Sequence, residues 1–129
     1  MDSTPTSTAS PPGPADLGRF GEALAERYLR DQGWQILARN WRCPHGELDI
    51  VALDGSCLVA AEVKTRRGVR FGEPVEAVTW AKAARLRRCA GAFVQQASGG
   101  FGGVRIDVLG LLLEPGRPVT IRHVRGVGS

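Results

Sequence analysis

The chain has 129 residues, 43% of them hydrophobic and 23% charged, with a formal net charge of +4, the balance of one soluble globular domain with a modest core. No apolar run approaches the roughly 18 residues that span a bilayer, and the N-terminus lacks the charged and apolar regions of a secretory signal, so the expected location is the cytoplasm, away from any membrane. The three cysteines, Cys43, Cys57 and Cys89, are odd in number and form no CxxC pair, which disfavours a disulfide framework or zinc knuckle.

In chain order, Met1 to Ala15 ("MDSTPTSTASPPGPA") is Ser, Thr and Pro with almost no large apolar side chain, and predicts a disordered tail at 1–15 ahead of a single domain at 16–129. Leu17, Phe20, Leu24 and Tyr28 recur at helical spacing before Gly33, predicting a helix over 17–32. "WQILARNWR" (34–42), "ELDIVALD" and "CLVAAEVKT" read as three strands, the last two joined at Gly55-Ser56. "RRGVRFGEP" (66–74) is a basic loop. A second helix is expected from an N-cap at Thr79 to about Ala97, with Ala83, Leu86, Ala90 and Phe93 buried. "SGGFGG" (98–103) is a flexible connection, and "VRIDVLGLLL" and "PVTIRHV" are two final strands around "EPGR". The order α-β-β-β-α-β-β gives an α/β class, a mixed sheet flanked by helices.

The second and third strands carry ionisable groups where a buried hairpin has none. If Gly55-Ser56 is the two-residue turn, Asp54 faces Cys57, Asp49 lies opposite Glu62, and Glu47 lies opposite Lys64. Glu47, Asp49, Glu62 and Lys64 share a sheet face with Val51, Leu53, Leu58 and Ala60, and Leu48, Ile50, Ala61 and Val63 occupy the other. A turn at Asp54-Gly55 would instead set Glu47 opposite Glu62, with Asp49 one diagonal away. Two facing carboxylates repel by about 0.2–1 kcal/mol, more when desolvated. A hard cation such as Mg²⁺, held by one or two carboxylates and completed by water and phosphate oxygens, removes that repulsion, and Lys64 would stand beside it. Ordinary ion pairs on an exposed sheet face are the alternative.

These residues resemble the PD-(D/E)xK nuclease superfamily, whose restriction-endonuclease-like core is α-β-β-β-α-β; Asp49 and Glu62-Val63-Lys64 fill its motif. The set "GEALAERYL", "ILARNWR", "GELDIVALD", "EVKTRR", "AVTWAKAARLRR" and "VRIDVL" resembles the YraN-like family of small bacterial proteins, related in fold to archaeal Holliday-junction resolvases. The resemblance implies a Mg²⁺ (or Mn²⁺) site at Asp49 and Glu62, with the Val63 carbonyl a further ligand. It implies that Lys64 positions the attacking water or stabilises phosphorane charge, and that Glu22 joins the metal site from the first helix. On a helical wheel, however, Glu22 falls off the Leu17-Leu24-Tyr28 stripe, near Glu26. Leu48 replaces the motif's proline, and Glu47 is an extra acid suited to partner Lys64.

Of seventeen basic residues only Lys64 and Lys82 are lysines, so each invites a chemical reason; Lys82, in the first turn of the second helix, suits a phosphate. Arg66, Arg67 and Arg70 after the motif strand, with Arg85, Arg87 and Arg88 on the second helix, suit sequence-independent phosphate contacts. Asp107 is expected to pair with an arginine. His45 and His123 have no evident partners, which leaves nucleophilic catalysis without support. The expected function is a Mg²⁺-dependent endonuclease acting on DNA, branched or structured DNA among the candidates, with dimerisation conditional on a junction substrate. The alternative is a nucleic-acid-binding module that keeps the fold but does not cleave.

Overall fold

The computed structural model describes residues 14–68 and 78–128. Residues 1–13 of the expected tail, and Arg70 with most of the basic loop, lie outside the described residues. Pro14 and Ala15, assigned to the tail on composition, form the first turn of helix α1 (Pro14–Asp31), where proline's missing N–H costs nothing. The helix ends at Gly33, whose φ of +88° lets its N–H turn back to the Arg30 carbonyl (2.9 Å).

Strands β1 (Gln35–Cys43), β2 (Gly46–Asp54) and β3 (Cys57–Arg66) follow, then helix α2 (Trp80–Gln96), β4 (Gly103–Leu112) and β5 (Thr120–Val124). The sheet order is β1-β2-β3-β4-β5. Among the described strands only β3 and β4 run parallel, and α2 lies in the crossover that a parallel pair requires. The mixed sheet and its two helices make the α/β fold expected from sequence, consistent with a restriction-endonuclease-like core. Thr79 caps α2, its Oγ1 accepting from the Lys82 N–H at 3.1 Å.

One core lies on each side of the sheet. Under α1, Ala25, Leu29 and Trp34 pack on Ile50, Ala52, Val59, Ala61, Val63, Leu109 and Leu111. Under α2, Leu86, Cys89 and Ala90 pack on Leu48, Val51, Leu58, Ala60 and Ile106. Each fully buried Leu, Ile or Val contributes roughly 1.5–3 kcal/mol of transfer free energy, which is why period two governs most of β2 and β3. The stripe predicted for α1 is rotated, however. Phe20 is 48% exposed, and the closest approach is made by Gly21, where a Cβ would sit 1.8 Å from Thr65 Oγ1. Small residues bring the helix axis nearest the sheet, and a stripe drawn through the large side chains misses them.

The hairpin register is the one that follows from a Gly55-Ser56 turn: Asp54 pairs with Cys57 and Ile50 with Ala61. There the β2–β3 ladder ends. Beyond it β2 stays with β1 as far as Gly46, and β3 stays with β4 to Arg66, so the sheet forks. The β1–β2 register slips between Ile36 and Ala38 and is constant from Ala38 to Cys43. Arg39 pairs with Ile50 and Trp41 with Leu48, but Asn40, between them, has a φ of +47°, a left-handed conformation that asparagine tolerates better than most residues. Leu48 lies with Val51 on the α2 side and Ile50 on the other, so strict alternation along β2 breaks in a kink at Asp49.

Candidate metal centre

The kink and the fork meet at Asp49. It is half-buried, and it lines two clefts. One, of about 220 Å³, is walled on the α1 side by Arg19, Glu22, Glu26, Arg39 and Asn40. The other, of about 230 Å³, is walled on the α2 side by Glu47, Glu62, Lys82, Arg85 and Cys89. Where the ladder stops, Asp49 Oδ2 accepts the Val63 backbone N–H at 2.9 Å, so the side chain takes the place of a strand carbonyl and ties the two arms of the fork. Burial first, and then the Glu62 charge, push the Asp49 carboxyl up to about 7, against the Val63 hydrogen bond; Glu22 and Glu47 add to the rise. Three acids from α1, β2 and β3 therefore act on one carboxyl.

Glu62 is buried, with 6% of its side chain exposed. Its Oε2 is held by Lys82 Nζ at 2.6 Å and Lys64 Nζ at 3.3 Å. Burial alone would lower the Lys82 ammonium, but the bond to Glu62 reverses this and holds it above the ordinary lysine range. The two lysines of the chain thus converge on one carboxylate from different elements. Glu22 is half-buried and accepts from Asn40 Nδ2 at 3.3 Å. The rotation of α1 about Gly21 brings it to the Asp49 cleft, although it lies off the stripe of large residues.

Other expectations fare differently. Glu47 lines the α2-side cleft but pairs with Arg42 across β1 (3.7 Å), not with Lys64, because the β2–β3 ladder ends before reaching them. Arg85 lines the same cleft. Arg66, at the end of β3, is half-buried with its Nε enclosed and without a hydrogen-bond partner among the described residues. Arg67 lines a different, largely apolar cavity with Leu17, Phe20, Leu113 and Val119. Asp107 pairs with Arg105 as expected (2.8 Å). His123 does have partners: its Nε2 lies 2.7 Å from Asp107 Oδ2 and its Nδ1 3.1 Å from the Tyr28 hydroxyl. Asn40 was missed, since nothing in the mixed stretch "ILARNWR" sets it apart.

Among the described residues no three His, Cys, Asp or Glu side chains converge as a ready cage. Asp49 and Glu62, desolvated and mutually repelling, with two ammoniums drawn onto Glu62, form instead the two-carboxylate arrangement that Mg²⁺ takes when substrate phosphates and water supply its remaining ligands. The residues fit the ion in that mode.

The model of an uncharacterised protein family, UPF0102, matches residues 21–111. A UPF0102 protein of Streptomyces coelicolor is 54% identical over 114 residues, 86% of this chain and 87% of its own length. One of Acidothermus cellulolyticus is 52% identical over 120 residues, 85% and 91% respectively, and one of Nocardia farcinica is 48% identical over 111 residues, 86% and 87%.

Proposed function

The chain belongs to the uncharacterised protein family UPF0102, and from that premise we propose that it is a Mg²⁺- or Mn²⁺-dependent endonuclease acting on DNA in the cytoplasm. The observation that carries this reading is the Asp49–Glu62 pair at a forked sheet, with Lys64 on the strand beside it. Asp49, Glu62 and the Val63 carbonyl would hold the ion, with Glu22 on the far side of Asp49. When bound, the ion supplies Lewis-acid stabilisation of the scissile phosphate and lowers the pKa of an attacking water.

The chain's own residues have separable tasks in this reading. Asp49 would have to give up its proton to serve as a ligand; burial and the Glu62 charge, which hold its carboxyl up at about 7, oppose that loss, and a cation's charge would favour it. Lys64 orients the nucleophile and offers positive charge to the phosphorane as it forms. Lys82 and Arg85, on one cleft wall, hold nonbridging phosphate oxygens and position the strand without reading its bases. The second reading, a nucleic-acid-binding module that does not cleave, is favoured by the Lys82–Glu62 contact of 2.6 Å, in which an ammonium already neutralises one carboxylate.

Wild type, Asp49→Asn and Lys64→Ala should be assayed on linear, single-stranded and four-way-junction DNA with Mg²⁺ or Mn²⁺. Cleavage by the wild type that falls at least a hundredfold in both variants is the expected result. Equal residual activity in all three identifies a contaminating nuclease, and binding without cleavage identifies the second reading.

A further inference from the structure

The α2-side cleft has a floor that the proposed chemistry does not use. Cys89 lines it, is fully buried, and has its Sγ 3.3 Å from the Sγ of Cys43. The partners belong to distant parts of the chain: Cys43 is the last residue of β1, and Cys89 is in the third turn of α2. Both are free thiols, and a disulfide would need only about 1.3 Å of closure between the sulfurs. The two differ in access. Cys43 is half-buried at a strand end, where the His45 backbone N–H points at its sulfur (3.3 Å). Burial and the Cys43 contact push the Cys89 thiol up to about 11, and Arg85 and Arg88 bring opposing positive charge to it. One accessible sulfur, backed by one buried sulfur in contact, is the arrangement of an attacked thiol and its resolving thiol.

We propose that Cys43 and Cys89 form a reversible, hydroperoxide-driven disulfide that ties α2 to the end of β1 beside the carboxylate cleft. The Cys43 thiolate attacks hydrogen peroxide: an S–O bond forms, the O–O bond breaks, and hydroxide leaves to become water on taking a proton. Cys89 sulfur then attacks the Cys43 sulfenic sulfur, forming S–S and breaking S–O, and the departing hydroxyl takes the Cys89 proton as a second water. Two thiols lose two electrons and one peroxide gains them. Lys82, Arg85 and Cys89 recur at helical spacing on the cleft-facing side of α2, so the crosslink fixes the face that carries Lys82 against the end of β1. Neither step depends on metal binding or DNA cleavage.

The test is non-reducing peptide mapping of the full-length protein after a few equivalents of hydrogen peroxide. The expected result is an intact mass lower by about 2 Da, one linked peptide pair containing Cys43 and Cys89, Cys57 still open to alkylation, and full reversal by dithiothreitol. Cys89→Ser should instead leave a Cys43 sulfenic acid that dimedone captures. Linkage through Cys57, disulfides between molecules, or oxidation of Cys43 to sulfinic acid in the wild type without a crosslink would each overturn the proposal.

Discussion

At Asp49 a single proton separates two states of the site. The folded chain raises this carboxyl to about 7, whereas an unfolded aspartate titrates near 3.9. Because the folded state holds the proton more tightly, Asp49 favours folding below about pH 4. That contribution is lost progressively as pH rises through about 7, a loss on the order of a few kcal/mol. Asp49→Asn cannot ionise, so urea unfolding of the metal-free variant should show greater stability than wild type at pH 7.5 and a much smaller fall between pH 5 and 7.5. A fall as steep as that of wild type would contradict the burial and charge assigned here. The position of this residue was legible from the sequence, because a turn at Gly55-Ser56 fixes the register by arithmetic. Lys82 was legible from the rarity of lysine. Asn40 was not, since a left-handed residue within a strand leaves no periodic trace; Glu22 was named by the family resemblance alone, because helical periodicity set it off the stripe of large residues.

Among the elements, α1 shows why. Periodicity weights a helix face by the bulk of its side chains, yet Gly21, Ala25 and Leu29 make the buried line, and the bulky Phe20 stands largely exposed. Replacing Gly21 with Ala would drive a methyl group into Thr65, where only 1.8 Å is available to Thr65 Oγ1. The helix must then lift from β3 and carry Glu22 away from Asp49. Gly21→Ala should therefore cost about 1–3 kcal/mol in chemical denaturation in spite of alanine's better helix propensity, and a stabilised variant would show that the approach is not as close as described. Helix α2 was easier to read, since its Thr79 cap and its Ala83-Leu86-Ala90 stripe use the side chains that also set the helix position. The fork between β2 and β3 was not read from sequence, because the charges that follow it, Glu47, Asp49, Glu62 and Lys64, alternate with Leu48 and Val63 just as they would in a paired ladder.

For the whole molecule, the part hardest to foresee is the polar network that joins β4 to β5 and the segment after it. Asp107, fully buried, accepts from Arg105 (2.8 and 3.0 Å) and the Gly126 N–H (3.1 Å) and lies 2.7 Å from His123 Nε2. Arg105 also reaches Asp54. Burial alone would raise the Asp107 carboxyl, but these partners reverse that and hold it below the usual carboxylate range. A depressed pKa favours folding above about pH 4, and that contribution is lost on further acidification. Asp107→Asn should destabilise the protein by about 3–5 kcal/mol at pH 7, since it removes the fully buried charge that Arg105 and His123 share and leaves the guanidinium with Asp54 in its place, and thermal melts would register this as a large fall in Tm. A change below 1 kcal/mol would mean that the network contributes little to holding β5 in place. Sequence reading found one ion pair here and no partner for His123, because the residues that assemble around it, Tyr28, Asp107 and Gly126, lie on α1, on β4 and past β5.

The acids of the sheet are thus held differently: Asp107 is met by a guanidinium, an imidazole and a backbone N–H, and Glu62 by two ammoniums, while Asp49 has the Val63 N–H against its burial and the Glu62 charge. The central claim, that the fork holds a divalent cation, is tested most directly by adding substoichiometric Mn²⁺ to ¹⁵N-labelled protein at pH 7.5 and following paramagnetic broadening of backbone amides. Selective loss of the Asp49, Glu62 and Val63 signals in the wild type, absent in Asp49→Asn, is the predicted result. Broadening that is diffuse, centred elsewhere, or unchanged in Asp49→Asn would contradict it.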